Sequence, residues 1–155
     1  MSNPLPAIDS NIFIYALNGE SEQHHQALIF LRKIVNSPFC ISTQNILEIY
    51  NVLVDPKKFP FPLSSKEAVR IVKSISSQNA CLLLHPSQSA WNTALGLASE
   101  LIIGGHQLIY DCYLATTLLE NQVEVLYTAN TDDFKKYPFI KAVNPLISLP
   151  PESPS

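Results

Sequence analysis

Asp9, Glu48, Asp111 and the adjoining pair Asp132–Asp133 are the residues whose types and placement could carry chemistry. They lie far apart along the chain, and all but Glu48 stand at the edge of an apolar run. Carboxylates gathered in one place must take up protons or bind cations, because like charges repel strongly at short range. Hard oxygen donors of this kind select magnesium or manganese. Such ions activate water and stabilise the leaving oxygen in phosphodiester hydrolysis. Each acid also has a plainer reading. Aspartate at a helix start is a favoured N-cap, stabilising by about 1 kcal/mol, and that alone would account for Asp9 or Asp111. Helical spacing puts Ile46, Leu47, Tyr50, Leu53 and Val54 on one face and turns Glu48 away from it, as for a solvated helix glutamate. Asp132 and Asp133 suit a turn before Phe134. Only convergence in space separates the two readings.

The elements that would produce convergence can be read from the pattern. Residues 5–8 form a brief buried strand ending at Asp9, and residues 12–18 a short helix or turn. Ala27, Leu28, Leu31, Ile34 and Val35 recur at helical spacing within 22–36. FCIS (39–42) is a second strand, and 43–55 a helix capped by Ser42 or Thr43. Pro56, Pro60 and Pro62 enforce a loop. A helix over 64–78 opens with a Ser-Ser-Lys-Glu cap. The strand 81–85 leads to a helix over 87–102, broken by Gly104-Gly105. A helix over 111–121 opens at Asp111. Residues 123–130 are a strand, 135–141 a connector or short helix and 142–149 a last strand. Alternating strands and helices predict an α/β fold with a central parallel sheet covered on both faces. Ligands bind such sheets beyond the carboxyl ends of the strands.

Composition narrows the class. With 155 residues, 46% of them apolar and 15% charged, the chain suits one packed domain over 1–149, with a Pro/Ser-rich tail at 150–155. The net charge of -3 disfavours a sequence-independent nucleic-acid coat, which would be basic. It leaves room for a metal-dependent nuclease, since bound cations reverse the local sign. Cys40, Cys81 and Cys112 are odd in number and widely spaced, which reads as reduced, cytoplasmic and structural. No run of about 18 apolar residues predicts a membrane span, and MSNPLPAID lacks the basic region of a secretory signal.

Taken together, four segments resemble the PIN-domain nucleases, and among them the VapC-type toxins. AIDSNIFIYAL is similar to the opening motif of strand, aspartate, Ser or Thr, Asn and an apolar run. CISTQNILEIYNVL is similar to the second, where a strand ends in Ser or Thr and a helix presents glutamate. GGHQLIYDCYLATTLLENQVEVLYTANTDDF resembles the third and fourth in sequence. The resemblance spans residues 7–134. It implies a three-layer α/β/α sandwich and a Mg²⁺- or Mn²⁺-dependent ribonuclease leaving a 3′ hydroxyl and a 5′ phosphate. By position it makes Asp9, Glu48 and Asp111 the central metal-binding acids. At the fourth position the chain departs from the common pattern, with Asn130 where many members have aspartate. Asp133 is then the expected fourth acid over Asp132, with Asn130 in support. Ser10 and Asn11 match small polar residues that orient the first aspartate, and Thr128 is placed to orient the rim. Homodimerisation and an antitoxin helix are further implications, with a groove expected from 22–36 and 43–55.

Several other residues invite a role. Tyr15, Tyr50, Tyr113, Lys57 and Lys58 have the chemistry to guide RNA by stacking or phosphate contact, but suit core and loop positions as well. His24-His25, His85 and His106 lack metal-ligand spacing, and Trp91 sits at helical spacing with Ala94, Leu95 and Ala98 as a core residue would. An aspartyl-phosphate enzyme of the haloacid-dehalogenase type wants Asp-x-Asp, where Asn11 stands here. A non-catalytic PIN-fold module, binding RNA or protein through a degenerate fourth acid, is the remaining alternative.

Overall fold

The computed structural model describes residues 5–101 and 108–147. Five strands, β1 (Ala7–Ile8), β2 (Phe39–Ser42), β3 (Cys81–Leu84), β4 (Val125–Tyr127) and β5 (Lys141–Val143), form one sheet in the order β3-β2-β1-β4-β5. Every pairing is parallel. Around it lie α1 (Ser10–Leu17), α2 (His24–Ile34), α3 (Thr43–Val54), α4 (Ser65–Ser76), α5 (Ala90–Glu100) and α6 (Leu108–Glu120), with a 3₁₀ turn at Thr131–Phe134.

The strands are short and apolar because both faces are covered. Successive side chains point to opposite faces, so the strands β1 to β4 feed two cores. Ala7, Cys40, Leu84 and Leu126 pack with Ala94, Leu114, Ala115 and Leu118 from α5 and α6. Ile8, Phe39 and Ile41 pack with Ile12, Ala27, Ile49, Leu53, Ala68 and Val72 from α1 to α4. The result is the expected three-layer sandwich. The chain runs from β1 outward through β2 and β3, then crosses back to β4 and β5. Strand order therefore reverses between β1 and β4, the place where open sheets of this kind leave a crevice at their carboxyl edge.

Element boundaries depart from the sequence reading in instructive places. The segment after Asp9 is a full helix, since Asp9 caps it by accepting from the Ser10 amide. α6 begins at Leu108, so Asp111 sits in its first turn rather than at its cap. The last strand ends at Val143, and an Asn144-led turn follows. Trp91 is 60% exposed instead of being core. α5 buries only Ala90 and Ala94, whose small side chains leave a contact stripe too narrow to cover an indole. Gly104-Gly105, His106 and the tail at 150–155 lie outside the described residues.

α6 ends in a Schellman turn. Val123 N–H bonds the Leu118 carbonyl at 2.9 Å and Gln122 N–H that of Leu119 at 3.1 Å, with Gln122 at φ 57°. That left-handed backbone favours glycine. Gln122→Gly is expected to raise unfolding stability by about 1 kcal/mol, read as a higher urea midpoint; a lower midpoint would contradict this account of the turn.

Candidate active site

Register alone brings the first donors to Asp9. Ile8 pairs with Tyr127, so the next residues along, Asp9 and Thr128, emerge side by side from the two strands flanking the crevice. Asp9 N–H closes the ladder on the Tyr127 carbonyl at 2.9 Å. Thr128 Oγ1 donates to Asp9 Oδ2 at 2.8 Å. Thr128 is itself fixed, accepting from Asn130 N–H at 3.1 Å and from Asn11 Nδ2 at 3.2 Å. Asn11 Oδ1 in turn accepts from Ala129 N–H. On the other side β2 delivers the start of α3. Ser42 Oγ caps that helix by accepting from Asn45 N–H at 3.0 Å and donates to Asn45 Oδ1 at 2.8 Å. The Asn45 amide is thereby oriented with its nitrogen toward the acids, donating to Asp9 Oδ1 at 3.0 Å and Glu48 Oε2 at 3.2 Å. Ser10 adds a second bridge, from its amide to Asp9 Oδ1 at 2.8 Å and from its hydroxyl to Glu48 Oε2 at 2.8 Å.

Glu48 is thus no free surface glutamate. The buried stripe of α3 is Asn45, Ile49 and Leu53, while Leu47 is 68% exposed. Apolar periodicity puts Leu47 on the core face, whereas the buried amide of Asn45 turns α3 so that Leu47 faces outward. Gln44 holds Glu48 from the outer side, its Nε2 donating to Glu48 Oε1 at 2.9 Å and to the Tyr110 carbonyl at 3.0 Å.

Asp9, Glu48, Asp111 and Asp133 line one cleft of about 240 Å³, together with Ser10, Asn11, Gln44, Leu114, Asn130 and Phe134. Asp133 reaches it from the 3₁₀ turn, whose Asp133 N–H bonds the Asn130 carbonyl at 3.2 Å. Asp132 does not line it; its side chain is 83% exposed and pairs with Lys135. The cleft is under electrostatic tension. Asp9 is 7% exposed; burial pushes its pKa up to about 6, with the Thr128 hydrogen bond opposing and the Glu48 charge adding. Asp111 also rises to about 6, first through burial. Lys136, 3.9 Å from its Oδ2, pulls it down, while Asp133, Asp9 and Glu48 push it up.

Among the described residues, no three acidic, His or Cys side chains stand close enough to hold one ion between them. The chemistry of the donors nevertheless fits a hard divalent cation. The wall offers carboxylates whose mutual repulsion a cation relieves, and Gln44 Oε1 is a buried acceptor that meets no donor among the described residues. Magnesium-like ions keep several waters and need only one or two direct carboxylates, so a hydrated ion matches such a wall.

Sequence reasoning missed Asn45, Gln44 and Lys136. The signal for Asn45 was available: a Ser42-x-x-Asn45 cap whose polar fourth residue stands one and two turns before Ile49 and Leu53. Asn45→Ala would leave Asp9 and Glu48 with Ser10 alone bridging them. Hydrogen bonds to charged groups are worth about 1.5–3 kcal/mol, so a thermal melt near neutral pH should show a loss of about 2 kcal/mol; an unchanged melt would mean the bridge is immaterial. Of the tyrosines and lysines singled out in the sequence, Tyr113 and Lys58 line an adjoining chamber. Tyr15 joins the α1–α4 core, and Tyr50 donates its hydroxyl to Ser65 on α4.

A family model for the PIN domain matches residues 7–140. The chain belongs to the PIN domain family. Among named relatives it is similar to Ribonuclease VapC24 of Mycobacterium tuberculosis, 27% identical over 143 residues that cover 92% of this chain and 97% of that protein. Its fold matches the crystal structure of M. tuberculosis VapC20, described as a Sarcin-Ricin loop cleaving toxin (TM-score 0.65, 12% identity, 83% of this chain and 92% of that one). It also matches a toxin-antitoxin complex from Klebsiella pneumoniae (TM-score 0.58, 19% identity, 90% and 97%).

Proposed function

We propose that this chain is an endoribonuclease dependent on Mg²⁺ or Mn²⁺, and the toxin of a toxin–antitoxin pair. The observation that carries the reading is the gathering of four acids, remote in sequence, into one cleft at the β1/β4 crevice. The ribonuclease relatives support it. Asp9, Glu48, Asp111 and Asp133 are the residues that would hold a hydrated metal ion, one or two of them directly and the others through its waters. When bound, a divalent cation supplies the positive charge that makes water a nucleophile near neutral pH and stabilises the departing oxygen. The chain's own part is positioning. Ser10, Asn45 and Thr128 fix the Asp9 carboxylate, and Gln44 with Ser10 fixes Glu48, so neither reorganises when charge develops. Asn130 acts through Thr128, and Asn11 acts both through Thr128 and by its own bond to Asp9 Oδ2 at 3.5 Å. Leu114 and Phe134 close the wall against bulk water. Lys136 offsets part of the negative field that an RNA phosphate must approach.

The antitoxin reading has its own surface. A groove of about 310 Å³ between α1, α2 and α4 is walled by Phe13, Leu17, Leu31, Val35, Ile71 and Ile75. It suits the apolar face of an amphipathic helix. The sequence reading expected α3 to share this groove with α2; α1 and α4 do so instead, because the apolar stripe of α3 is spent on the core. We further propose a homodimer, in the cytoplasm, where Cys40, Cys81 and Cys112 stay unpaired. Among the described residues no helix is long and apolar enough to cross a membrane.

The test is direct. Purified protein should cut single-stranded RNA with manganese or magnesium and stop in EDTA. RNA binding that persists in EDTA with no cleavage under either ion would favour the non-catalytic module instead.

A further inference from the structure

We propose that the chamber beside Glu48 is a nucleobase subsite, in which Tyr110 and Tyr113 receive an unpaired base next to the scissile phosphate and Lys58 meets the sugar–phosphate backbone. The inference rests on the ribonuclease reading above and gives that site its substrate form. The chamber has a volume of about 570 Å³ and is walled by Leu47, Asn51, Lys58, Pro86, Tyr110 and Tyr113. That lies within the size range of pockets that enclose small ligands.

Three observations choose the occupant. The chamber is continuous with the acidic cleft, because Gln44 and Glu48 wall both. A strand whose phosphate lies at the acids therefore has its neighbouring base within reach. The junction is also fixed, since Gln44 Nε2 ties Glu48 on α3 to the Tyr110 carbonyl on α6. Finally, the wall mixes aromatic rings with an exposed ammonium and an amide. Tyr110 is 57% exposed, and it walls a further hollow with Tyr113, Leu95 and the 60% exposed Trp91. Aromatic faces accept any base by stacking, and a lysine serves the backbone. A base within a duplex has both faces covered and cannot enter, so the chamber selects unpaired RNA.

The competing occupant is a second copy of this chain, to which exposed Trp91, Leu95 and Leu47 would also appeal. The test compares wild type with Tyr110→Ala and Lys58→Ala, both exposed positions. The probe is a single-stranded RNA pool of randomised sequence, cut in manganese with the ends mapped, and separately bound in EDTA by fluorescence anisotropy. A fully paired RNA is the control. Tyr110→Ala should raise KM about tenfold, blur the base preference beside the cut, and lower kcat less. Lys58→Ala should weaken binding across all sequences and flatten its salt dependence by about one unit of slope. Unchanged KM and cut preference in Tyr110→Ala, or equal cutting of the paired RNA, overturns the subsite. So does a variant that turns a sedimenting dimer into a monomer with RNA binding intact, since the face then belongs to the second copy. If wild type cuts nothing, the ribonuclease reading fails by itself. The anisotropy arm still decides the chamber: weaker binding by Tyr110→Ala upholds it and equal binding ends it.

Discussion

Asp9→Asn is expected to destroy RNA cleavage while making the metal-free protein more stable. Partners that merely orient a metal ligand cost about 10–100-fold when removed; loss of the ligand itself should exceed that, so cleavage falls by more than about a hundredfold. Stability moves the other way. The Asp9 carboxyl, pushed up to about 6 from an ordinary 3.8, is charged in the folded protein at neutral pH at a cost. At about 1.4 kcal/mol per pKa unit, an isosteric amide should recover roughly 2 kcal/mol at pH 7, after some loss from weaker hydrogen bonds. The amide oxygen keeps the Ser10 and Asn45 donors, while the amide nitrogen gives up the bond from Thr128, whose oxygen already accepts from Asn130 and Asn11; that is the loss allowed for. Activity lost with stability gained is the signature of a residue placed for function against the interest of the fold. It is checked by a cleavage assay in manganese beside a thermal melt in EDTA. A variant that is both inactive and less stable would make Asp9 a structural cap.

The second large effect is in pH and metal. Asp9 and Asp111 both have folded-state pKa values raised from 3.8 to about 6. A raised carboxyl means the folded protein holds its proton more tightly than the unfolded chain. The stabilisation this gives is complete below about pH 4 and is lost as pH climbs through about 6. In EDTA the melting temperature should therefore decline from pH 4.5 to pH 7. Asp9 accounts for roughly 3 kcal/mol at most; Asp111, one quarter exposed, contributes less because solvent screens it. Manganese should cancel the decline by favouring the deprotonated acids. A metal-free melting curve that is flat or rising over this interval, or one that manganese leaves unchanged, would remove the cleft's charge strain from the account.

The lines of the fold could be read from periodicity alone. Buried parallel strands such as FCIS are short continuous apolar runs, and the helices between them have polar outer faces, so type and order follow from the pattern. Boundaries were less accessible where a cap decided them. The segment after Asp9 reads as a short helix or a turn, and the cap that Asp9 gives the Ser10 amide makes it a helix from Ser10. Asp9, Glu48 and Asp111 stood out by type, but local spacing gave each an ordinary explanation. Their meeting follows from strand order, a long-range property that single-chain patterning does not encode. Asn45 was hidden for a related reason. Polar residues on a helix are taken to face water, and that expectation outweighs the register that sets Asn45 in line with Ile49 and Leu53 behind a Ser42 cap. Trp91 departs in the opposite direction, since helical spacing with Ala94, Leu95 and Ala98 argues for burial while the buried stripe of Ala90 and Ala94 is too narrow to cover the indole.

Glu48 and Asp111 belong to helices on opposite sides of the sheet, and Gln44 already spans the gap through one amide nitrogen. An occupant gripping both acids would act as a rivet through the sandwich. Breathing of the α3 layer against the α6 layer would then become a single motion, slow when the rivet is in and loose when it is out. The enzyme would be most rigid where it cuts, and only while equipped to do so.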